Sequence, residues 1–265
     1  MKLSAYVDGI GVLGPGLANW PECAQTLGGE RSYATAPTVL AVPAMLPPAE
    51  RRRTGRVVKL ALAVALEATT AAAADLQKLA SVFSSSSSDG HICHEICEAL
   101  AQSSREVSPT RFSNSVHNAS AGYWNIGTGS MTESNVLCAF DASFVAGLLE
   151  SMTQAAVDET SVLLVAYDTE YPPPLHAKRP IPDAFGIALV FSPTQSTRSI
   201  AKLEVALTEQ SADTLPDAGL EALRRAIPAA RGLPLLRLLA LGEPGNCVLD
   251  YLDVCRAAVG VEPCH

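Results

Sequence analysis

Aromatic side chains are scarce in this sequence. Phe, Trp and Tyr make up 5% of its 265 residues, whereas apolar residues reach 48%, with Ala, Leu and Val plentiful. Small aliphatic side chains favour close packing of helices on a sheet, and a chain of this length can bury a large core. The sequence therefore predicts a single α/β domain that spans residues 1–265.

Positive charge is also in short supply. The chain has 19 Lys and Arg against 27 Asp and Glu, a formal net charge of −8, and no basic stripe interleaved with aromatics, which argues against a nucleic-acid partner. The longest apolar run, residues 57–66, contains Lys59 and is too short to span a bilayer. The first six residues lack the apolar stretch of a signal peptide, so we expect a cytoplasmic protein.

The seven cysteines are an odd number without the spacing of a disulfide framework, so we expect them to be reduced and mostly buried. One cluster, Cys93, His94 and Cys97, places two thiols on one helical face and is a conceivable zinc site. No second ligand pair lies at a typical spacing, and one helix cannot close a tetrahedral site alone. We therefore expect core cysteines, a solvated histidine, no metal and no cofactor.

The apolar pattern predicts an alternation of strands and helices. Strands are predicted at residues 3–12, 81–83, 136–140, 161–166, 186–191, 200–207 and 235–241, and helices at residues 20–27, 56–76, 92–102, 142–156, 220–227 and 248–259. The serine run at 84–88 is interpreted as a tight connection between a strand and a helix. Such an alternation predicts a mainly parallel sheet between helical layers.

A nucleophile is missing where the chain is best suited to display one. The predicted strand at 136–140 turns abruptly into the helix that begins near Ala142, and such a turn commonly presents a nucleophile beside a helix N-terminus. The turn carries Asp141, with no Ser or Cys at that point. Because Asp is a preferred N-cap residue, we expect its carboxylate to cap the helix and to perform no chemistry.

Four stretches, in order and in register, resemble the N-terminal half of β-ketoacyl synthases. They are residues 7–16 with Trp20 and Gly28-Gly29, residues 56–68, residues 118–143, and Arg179-Pro180 with residues 186–191. The resemblance covers residues 2–193 and implies an α/β, thiolase-like fold with a truncated C-terminal half, residues 194–265. Aligned without gaps from Ala121-Gly122, it places the nucleophilic cysteine of the family on Asp141. The shortened part holds one histidine, His265, where a complete second half supplies two catalytic histidines.

The local sequences at 46–53 and 112–124 resemble the short chain-length factors of aryl-polyene and xanthomonadin-type pigment clusters. This resemblance implies a non-catalytic subunit that forms a heterodimer with a competent ketosynthase and shapes the acyl pocket that limits chain length. The pocket candidates are Phe112, Val116, His117, Tyr123 and Trp124. For Trp124, simple core packing is an equally good interpretation.

The resemblance also implies where partners bind. In the resembled fold the strand before the nucleophile lies at the sheet edge and pairs across the dimer axis. The interface candidates are Asn135, Val136, Leu137, Cys138, Ala139 and Phe140. Acyl carrier proteins are acidic, so the docking candidates are Arg51, Arg52, Arg53, Arg56 and Lys59, although solvation of a helix entry is the commoner explanation for such a run.

Two other classes of function stay open. One is an independent acyltransferase or thioesterase that uses Cys138 or Ser143. We expect the Cys138 side chain to pack inside the predicted strand, and residues 140–144 lack the small-x-Ser-x-small elbow of a serine hydrolase. The other is a binding module that presents an acyl carrier protein to a second enzyme.

Overall fold

The computed structural model describes residues 2–264, which form eight strands and nine α-helices. The strands are β1 Leu3–Leu13, β2 Ala80–Ser84, β3 Ser134–Leu137, β4 Val162–Asp168, β5 Phe185–Ser192, β6 Ala201–Thr208, β7 Gly245–Leu249 and β8 Arg256–Pro263. The helices are α1 Trp20–Leu27, α2 Pro48–Arg51, α3 Arg56–Ala72, α4 Gly90–Ala101, α5 Pro109–Asn114, α6 Ala119–Thr128, α7 Ser143–Val157, α8 Ala218–Ala226 and α9 Leu233–Leu241. Short 3₁₀ turns lie at Phe140–Ala142, Leu175–Ala177 and Pro228–Gly232.

All eight strands form one sheet in the order β3-β2-β4-β5-β1-β6-β8-β7. Only β2 pairs in parallel, with β3 and with β4, and the other pairs are antiparallel. The prediction of a mainly parallel sheet is therefore wrong. A parallel neighbour needs a long crossover, usually helical, whereas β4 connects to β5 without an α-helix and β7 connects to β8 by a short loop.

Helices cover both faces of this sheet, as predicted. Strand β4 shows the division, because Val162, Leu164 and Ala166 belong to one buried cluster and Leu163 and Val165 to the other. Helix α3 packs on the second face, across β1, β4 and β5. Helix α7 packs on the first, together with the turn at 228–232.

Two glycines in β1 let α3 approach the sheet closely. A Cβ on Gly9 would lie 2.1 Å from the carbonyl oxygen of Ala68, and one on Gly11 would lie 2.1 Å from that of Val64. No side chain fits there without moving the helix. Helix α3 ends at Ala72, earlier than predicted, because Ala73 adopts a left-handed conformation with φ of 48°.

Two predictions in the last third of the chain are wrong. Residues 235–241 belong to helix α9, and the predicted helix at 248–259 is instead the end of β7, a loop and the first half of β8. A short apolar run such as 233–241 fits a buried strand or a buried helix equally well. Pro234 in its first turn and Gly242 at its C-cap, with φ of 64°, are the signals that favoured the helix.

The last third extends the same sheet. Strand β6 pairs with β1, and β8 and β7 continue outward from it. His265 lies outside the described residues. Within residues 2–264, no helix is long and apolar enough to cross a membrane.

Candidate functional site

The turn after β3 forms as predicted, but its residues have other roles than expected. Strand β3 ends at Leu137, so Cys138, Ala139 and Phe140 lie beyond it, contrary to the prediction of a strand through residue 140. The Phe140–Ala142 turn then leads into α7. Phe140 has a φ of 52°, a left-handed conformation that is uncommon for a bulky residue.

Ser143 stabilises this turn in place of Asp141. Its hydroxyl accepts a hydrogen bond from the Ala139 backbone N–H at 3.0 Å and donates to the Phe140 carbonyl oxygen at 2.7 Å. Asp141 makes no cap hydrogen bond, and the N-cap residue of α7 is Ala142. The prediction that Asp141 caps the helix is therefore wrong.

The Asp141 carboxylate instead lies between two arginines. Arg179 Nη2 is 2.6 Å from Oδ1, and Arg231 Nη2 is 3.2 Å from Oδ2. The Arg179 guanidinium also stacks over the Phe140 ring, 3.9 Å from its centroid. The position that the family resemblance assigns to the nucleophile thus holds an ion-paired carboxylate. One of its partners, Arg231, comes from the last third of the chain.

A second carboxylate, Asp168, lies at the end of β4 and is almost fully buried. It accepts hydrogen bonds from the Ser86 N–H at 2.9 Å, the Ser86 hydroxyl at 2.6 Å and the Ala229 N–H at 2.8 Å. Burial raises the pKa of Asp168 to about 6, although these hydrogen bonds and the charge of Arg179 act in the opposite direction. Asp168 therefore joins β4, the serine run and the last third of the chain.

The serine run at 84–88 is ordered, as the tight-connection prediction required, and it contacts most elements around the turn. The Ser84 hydroxyl donates to the Ser143 carbonyl oxygen at 2.6 Å, and the Ser85 N–H donates to that of Leu137 at 3.2 Å. The Ser88 hydroxyl donates to the Val116 carbonyl oxygen at 3.3 Å. The sequence patterns indicated only a connection here and did not assign these serines to the site. The serine run itself was a usable sequence signal, because small hydroxyl side chains can form hydrogen bonds with several backbone groups at once.

The two alternative nucleophiles lie in different environments. Cys138 is exposed and its thiol contacts the Ser86 carbonyl oxygen at 3.2 Å, so the prediction that it packs inside the strand is wrong. Ser143 is buried and both hydrogen-bonding functions of its hydroxyl are used within the turn. Neither hydroxyl nor thiol has a histidine among its hydrogen-bond partners in residues 2–264.

The five pocket candidates separate into a surface group and a core group. Phe112 and Val116 are exposed, with 67% and 47% of their surface accessible, whereas Trp124 is fully buried. The Tyr123 hydroxyl donates to Asn114 Oδ1 at 3.0 Å, which joins α6 to α5. The candidates therefore lie in two different environments, one at the surface and one in the core.

His117 lies between these groups and is half-buried. Burial lowers its pKa, partly offset by a hydrogen bond with the backbone of Ser85, and its Nε2 has no partner. Next to it lies a void of about 10 Å³, lined by Ser120 and Tyr167 among others. That volume holds about one water molecule, so the described chain has no room for an acyl group at this point.

The five basic candidates do not form a free positive surface. Arg51 donates to the carbonyl oxygens of Ala44 and Leu46, so it is a structural residue. Arg53 pairs with Glu50, and Arg56 pairs with Glu170 and with Asp183. Within residues 2–264, Arg52 and Lys59 are the members of this set without a carboxylate or carbonyl partner.

The cysteines are less buried than predicted. Cys23 and Cys247 are buried, but Cys93, Cys97 and Cys138 are exposed. The interpretation of Cys93 and Cys97 as core cysteines is therefore wrong. All seven are free thiols. The described part of the chain contains no group of three or more metal-ligating side chains that could hold an ion.

Strand β3 is an edge strand, as the resemblance implied. It pairs with β2 on one side, and no described strand pairs with its other side. Near this edge, several apolar side chains are exposed, among them Ile126, Met131 and Phe140, with Met131 95% accessible. An open edge beside exposed apolar side chains is a surface that proteins normally cover.

A family model described as "Beta-ketoacyl synthase, N-terminal domain" matches residues 18–233. The chain belongs to this family. The match reaches past residue 193 into the last third of the chain, further than the motifs indicated. No curated protein matches the sequence.

Solved structures agree on a thiolase-like ketosynthase fold. One chain from the complex of the ketosynthase ApeO with its chain length factor ApeC, from Xenorhabdus doucetiae, is 24% identical, with a TM-score of 0.73 over 97% of this chain and 99% of that one. The ishigamide ketosynthase/chain length factor gives 0.74 at 11% identity, over 99% and 100%. A β-ketoacyl synthase from Burkholderia phymatum STM815 gives 0.70 at 11% identity, over 100% of both chains.

Proposed function

We propose that this chain is the non-catalytic, chain-length-factor subunit of a β-ketoacyl synthase heterodimer. The observation that carries the proposal is Asp141, which stands where the family resemblance places the nucleophile. A carboxylate held by Arg179 and Arg231 has no free role in acyl transfer. The condensation chemistry would then reside in the partner ketosynthase, and the pair would work in the cytoplasm on acyl groups carried by an acyl carrier protein.

The surface at β3 supports a partner subunit. Its outer side is unpaired among the described residues, and Met131 and Phe140 leave apolar surface exposed close to it. Pairing with the equivalent strand of a ketosynthase would cover both features at once. Complexes of a ketosynthase with a chain length factor are among the structures that share this fold.

The proposed role in chain length rests on Phe112 and Val116. Both are exposed in the described chain, so they are free to contact a growing polyene in a channel formed with the partner. Trp124, by contrast, packs in the core and would act only by supporting α6. Carrier-protein docking on this subunit would rest on Arg52 and Lys59, because the other basic candidates already have partners.

Co-expression with a ketosynthase from the same type of biosynthesis tests the proposal. We expect the two chains to co-purify, and incubation with acyl- and malonyl-carrier protein should acylate the ketosynthase and leave this chain at its unmodified mass. An acyl adduct on Cys138 or Ser143 would support the independent acyltransferase or thioesterase instead.

Two variants at Asp141 make this test sharper. Asp141→Ala should leave condensation by the partner measurable, because the carboxylate takes no part in it. Asp141→Cys should also remain unacylated, since no histidine of residues 2–264 hydrogen-bonds to this turn and could activate a thiol. Condensation that disappears in Asp141→Ala while the heterodimer stays intact would contradict the non-catalytic assignment.

A further inference from the structure

An apolar cavity lies beside α3 and is lined by that helix, by Ile10 of β1 and by residues 41–45. Residues 41–45 belong to the segment 39–45, which we call the strap. The strap is held at both ends: the Thr38 N–H donates to Asp183 Oδ2 at 2.7 Å, and Arg51 Nη2 donates to the carbonyl oxygens of Ala44 and Leu46 at 3.0 and 2.8 Å. Leu46 is itself buried. The cavity is thus bounded by an anchored segment of the chain.

The space between strap and helix has a volume of about 620 Å³, within the range of about 300–1,000 Å³ that is typical of small-molecule sites. Its walls are almost entirely apolar. Helix α3 contributes Leu62, Ala63 and Leu66, the strap contributes Val42 and Met45, and Trp20 belongs to the lining as well.

The lining contains two charged residues, Glu67 and Lys59, which differ in their bonding partners within the fold. Glu67 accepts hydrogen bonds from the backbone N–H groups of Val12 and Trp20, at 2.9 and 2.6 Å, so both of its oxygens are used within the fold. Lys59 lies two helical turns away on the same stripe of α3 and pairs with no carboxylate in residues 2–264. The cavity therefore offers apolar surface, an ammonium group without a carboxylate partner at Lys59, and a carboxylate at Glu67 whose oxygens already accept backbone hydrogen bonds.

We infer that this cavity binds a long aliphatic chain with an anionic head group, the chain along α3 and the head at Lys59. Apolar surface favours burial of a hydrocarbon chain in proportion to the area removed from water, and the Lys59 ammonium attracts a carboxylate or a phosphate. The inference shares Lys59 with the proposed carrier-protein docking, but it does not depend on the non-catalytic assignment or on the heterodimer interface, because the cavity has no lining residue in the β3 edge or in the Asp141 turn.

The two tryptophans of the chain provide a direct test. Trp20 lines the cavity, whereas Trp124 is a fully buried residue of α6 that does not line it. A dibrominated stearate should quench the Trp20 fluorescence in a saturable manner, and Trp20→Phe should abolish that quenching. The coenzyme A thioester of the same chain is the second probe. Stronger binding of the free acid would identify a carboxylate head, and stronger binding of the thioester would identify a phosphate-bearing one.

Matched variants locate the ligand. Ala63→Phe fills the cavity and should weaken binding at least tenfold, whereas Ala156→Phe, the same change at an exposed position of α7, should leave it unchanged. Lys59→Met should weaken binding several-fold, and Arg52→Met, which removes another free cation, should not. Circular dichroism checks the fold of each variant.

Three outcomes would overturn the inference: no saturable quenching by either probe, undiminished quenching in Trp20→Phe, or equal effects of Lys59→Met and Arg52→Met. If Ala63→Phe fails to fold, the Lys59 and Trp20 variants still decide the matter.

Discussion

The two edge strands of the sheet, β7 and β3, differ in whether their outward-facing backbone groups have hydrogen-bond partners. At β7, the Val248 N–H donates to Asp213 Oδ2 at 2.8 Å, and the Val248 carbonyl oxygen accepts from the Asp213 N–H at 2.9 Å. A single aspartate thus occupies both outward groups of Val248 and adds a negative charge. At β3, the described chain provides no such partner on the outer side.

The hydrogen bonds to β2 show which β3 groups are free. The carbonyl oxygen of Glu133 accepts from the Ser81 N–H in β2, and that of Leu137 accepts from the Ser85 N–H, one residue beyond the end of β2. Because successive residues of a strand direct their backbone groups to opposite sides, the N–H and C=O of Val136 point outward. Proteins usually protect a sheet edge with charge or with a covering segment. The protected β7 edge and the open β3 edge are consistent with the proposed pairing of β3 with a partner subunit.

The largest expected effect is on stability, and it distinguishes the buried pocket candidate Trp124 from the exposed pocket candidate Phe112. Trp124→Ala removes a fully buried side chain and should cost about 3–5 kcal/mol in the free energy of unfolding. Phe112→Ala should cost less than about 0.5 kcal/mol, because its ring is exposed, yet it should lengthen the polyene made by the reconstituted pair. Denaturant unfolding and the visible absorption of the products measure the two effects. An unchanged product length in Phe112→Ala, with the heterodimer intact, would remove the support for a wall at this position.

The second prediction compares the edges directly. Val136→Pro removes an outward N–H and should weaken the heterodimer at least about tenfold, about 1.4 kcal/mol, with little effect on the pairing of β3 with β2. Asn246→Pro, at an outward position of β7, is the matched control and should leave association unchanged. Size-exclusion chromatography of the co-expressed chains at several concentrations measures both. Equal loss of binding in the two variants would place the interface elsewhere.

The third prediction concerns Asp168, which connects the β3 end of the molecule to the last third of the chain. Burial raises the pKa of its carboxyl from 3.8 to about 6, so the folded state holds the proton more tightly than the unfolded state. Its contribution to stability is complete below about pH 4 and is lost as the pH rises to about 6, by about 3 kcal/mol.

Asp168→Asn does not titrate and serves as the reference. The free energy of unfolding of the wild type, relative to this variant, should fall between pH 4 and pH 6 and stay level above pH 7. A relative stability that rises with pH over this window would mean that the folded state favours the ionised carboxylate.

The smallest expected effect concerns the protected edge. Asp213→Ala removes the carboxylate that binds the Val248 N–H and should cost about 1 kcal/mol in the free energy of unfolding. It should also promote weak self-association through β7, because a backbone donor is left free. Analytical ultracentrifugation compares this variant with Asp213→Asn, whose side-chain oxygen can still accept the hydrogen bond. Identical behaviour of the two variants would mean that the side-chain hydrogen bond to the Val248 N–H does not protect this edge.

The sequence predicted the first two thirds of the fold better than the last third. Strands β1, β4 and β5 and helices α1, α3 and α7 lie close to their predicted positions, because each carries a clear local pattern. The last third failed at residues 235–241 and 248–259, where short apolar runs fit a strand or a helix equally well. The structure of these segments depends on long-range contacts, of α9 with α1 and of β8 with β6, which no local pattern records.

For the candidate site too, the sequence determined one part and the tertiary structure decided the other. The sequence alone determined that the turn before α7 carries Asp141 and no nucleophile, since that is a matter of residue identity and spacing. Only the tertiary structure decided what Asp141 does, because Arg179 and Arg231 lie 38 and 90 residues away along the chain. Likewise, the protection of β7 by Asp213 and the free charge of Lys59 in the cavity depend on which segments fold together. Local spacing fixes which groups the chain offers, and long-range packing fixes which of them stay free.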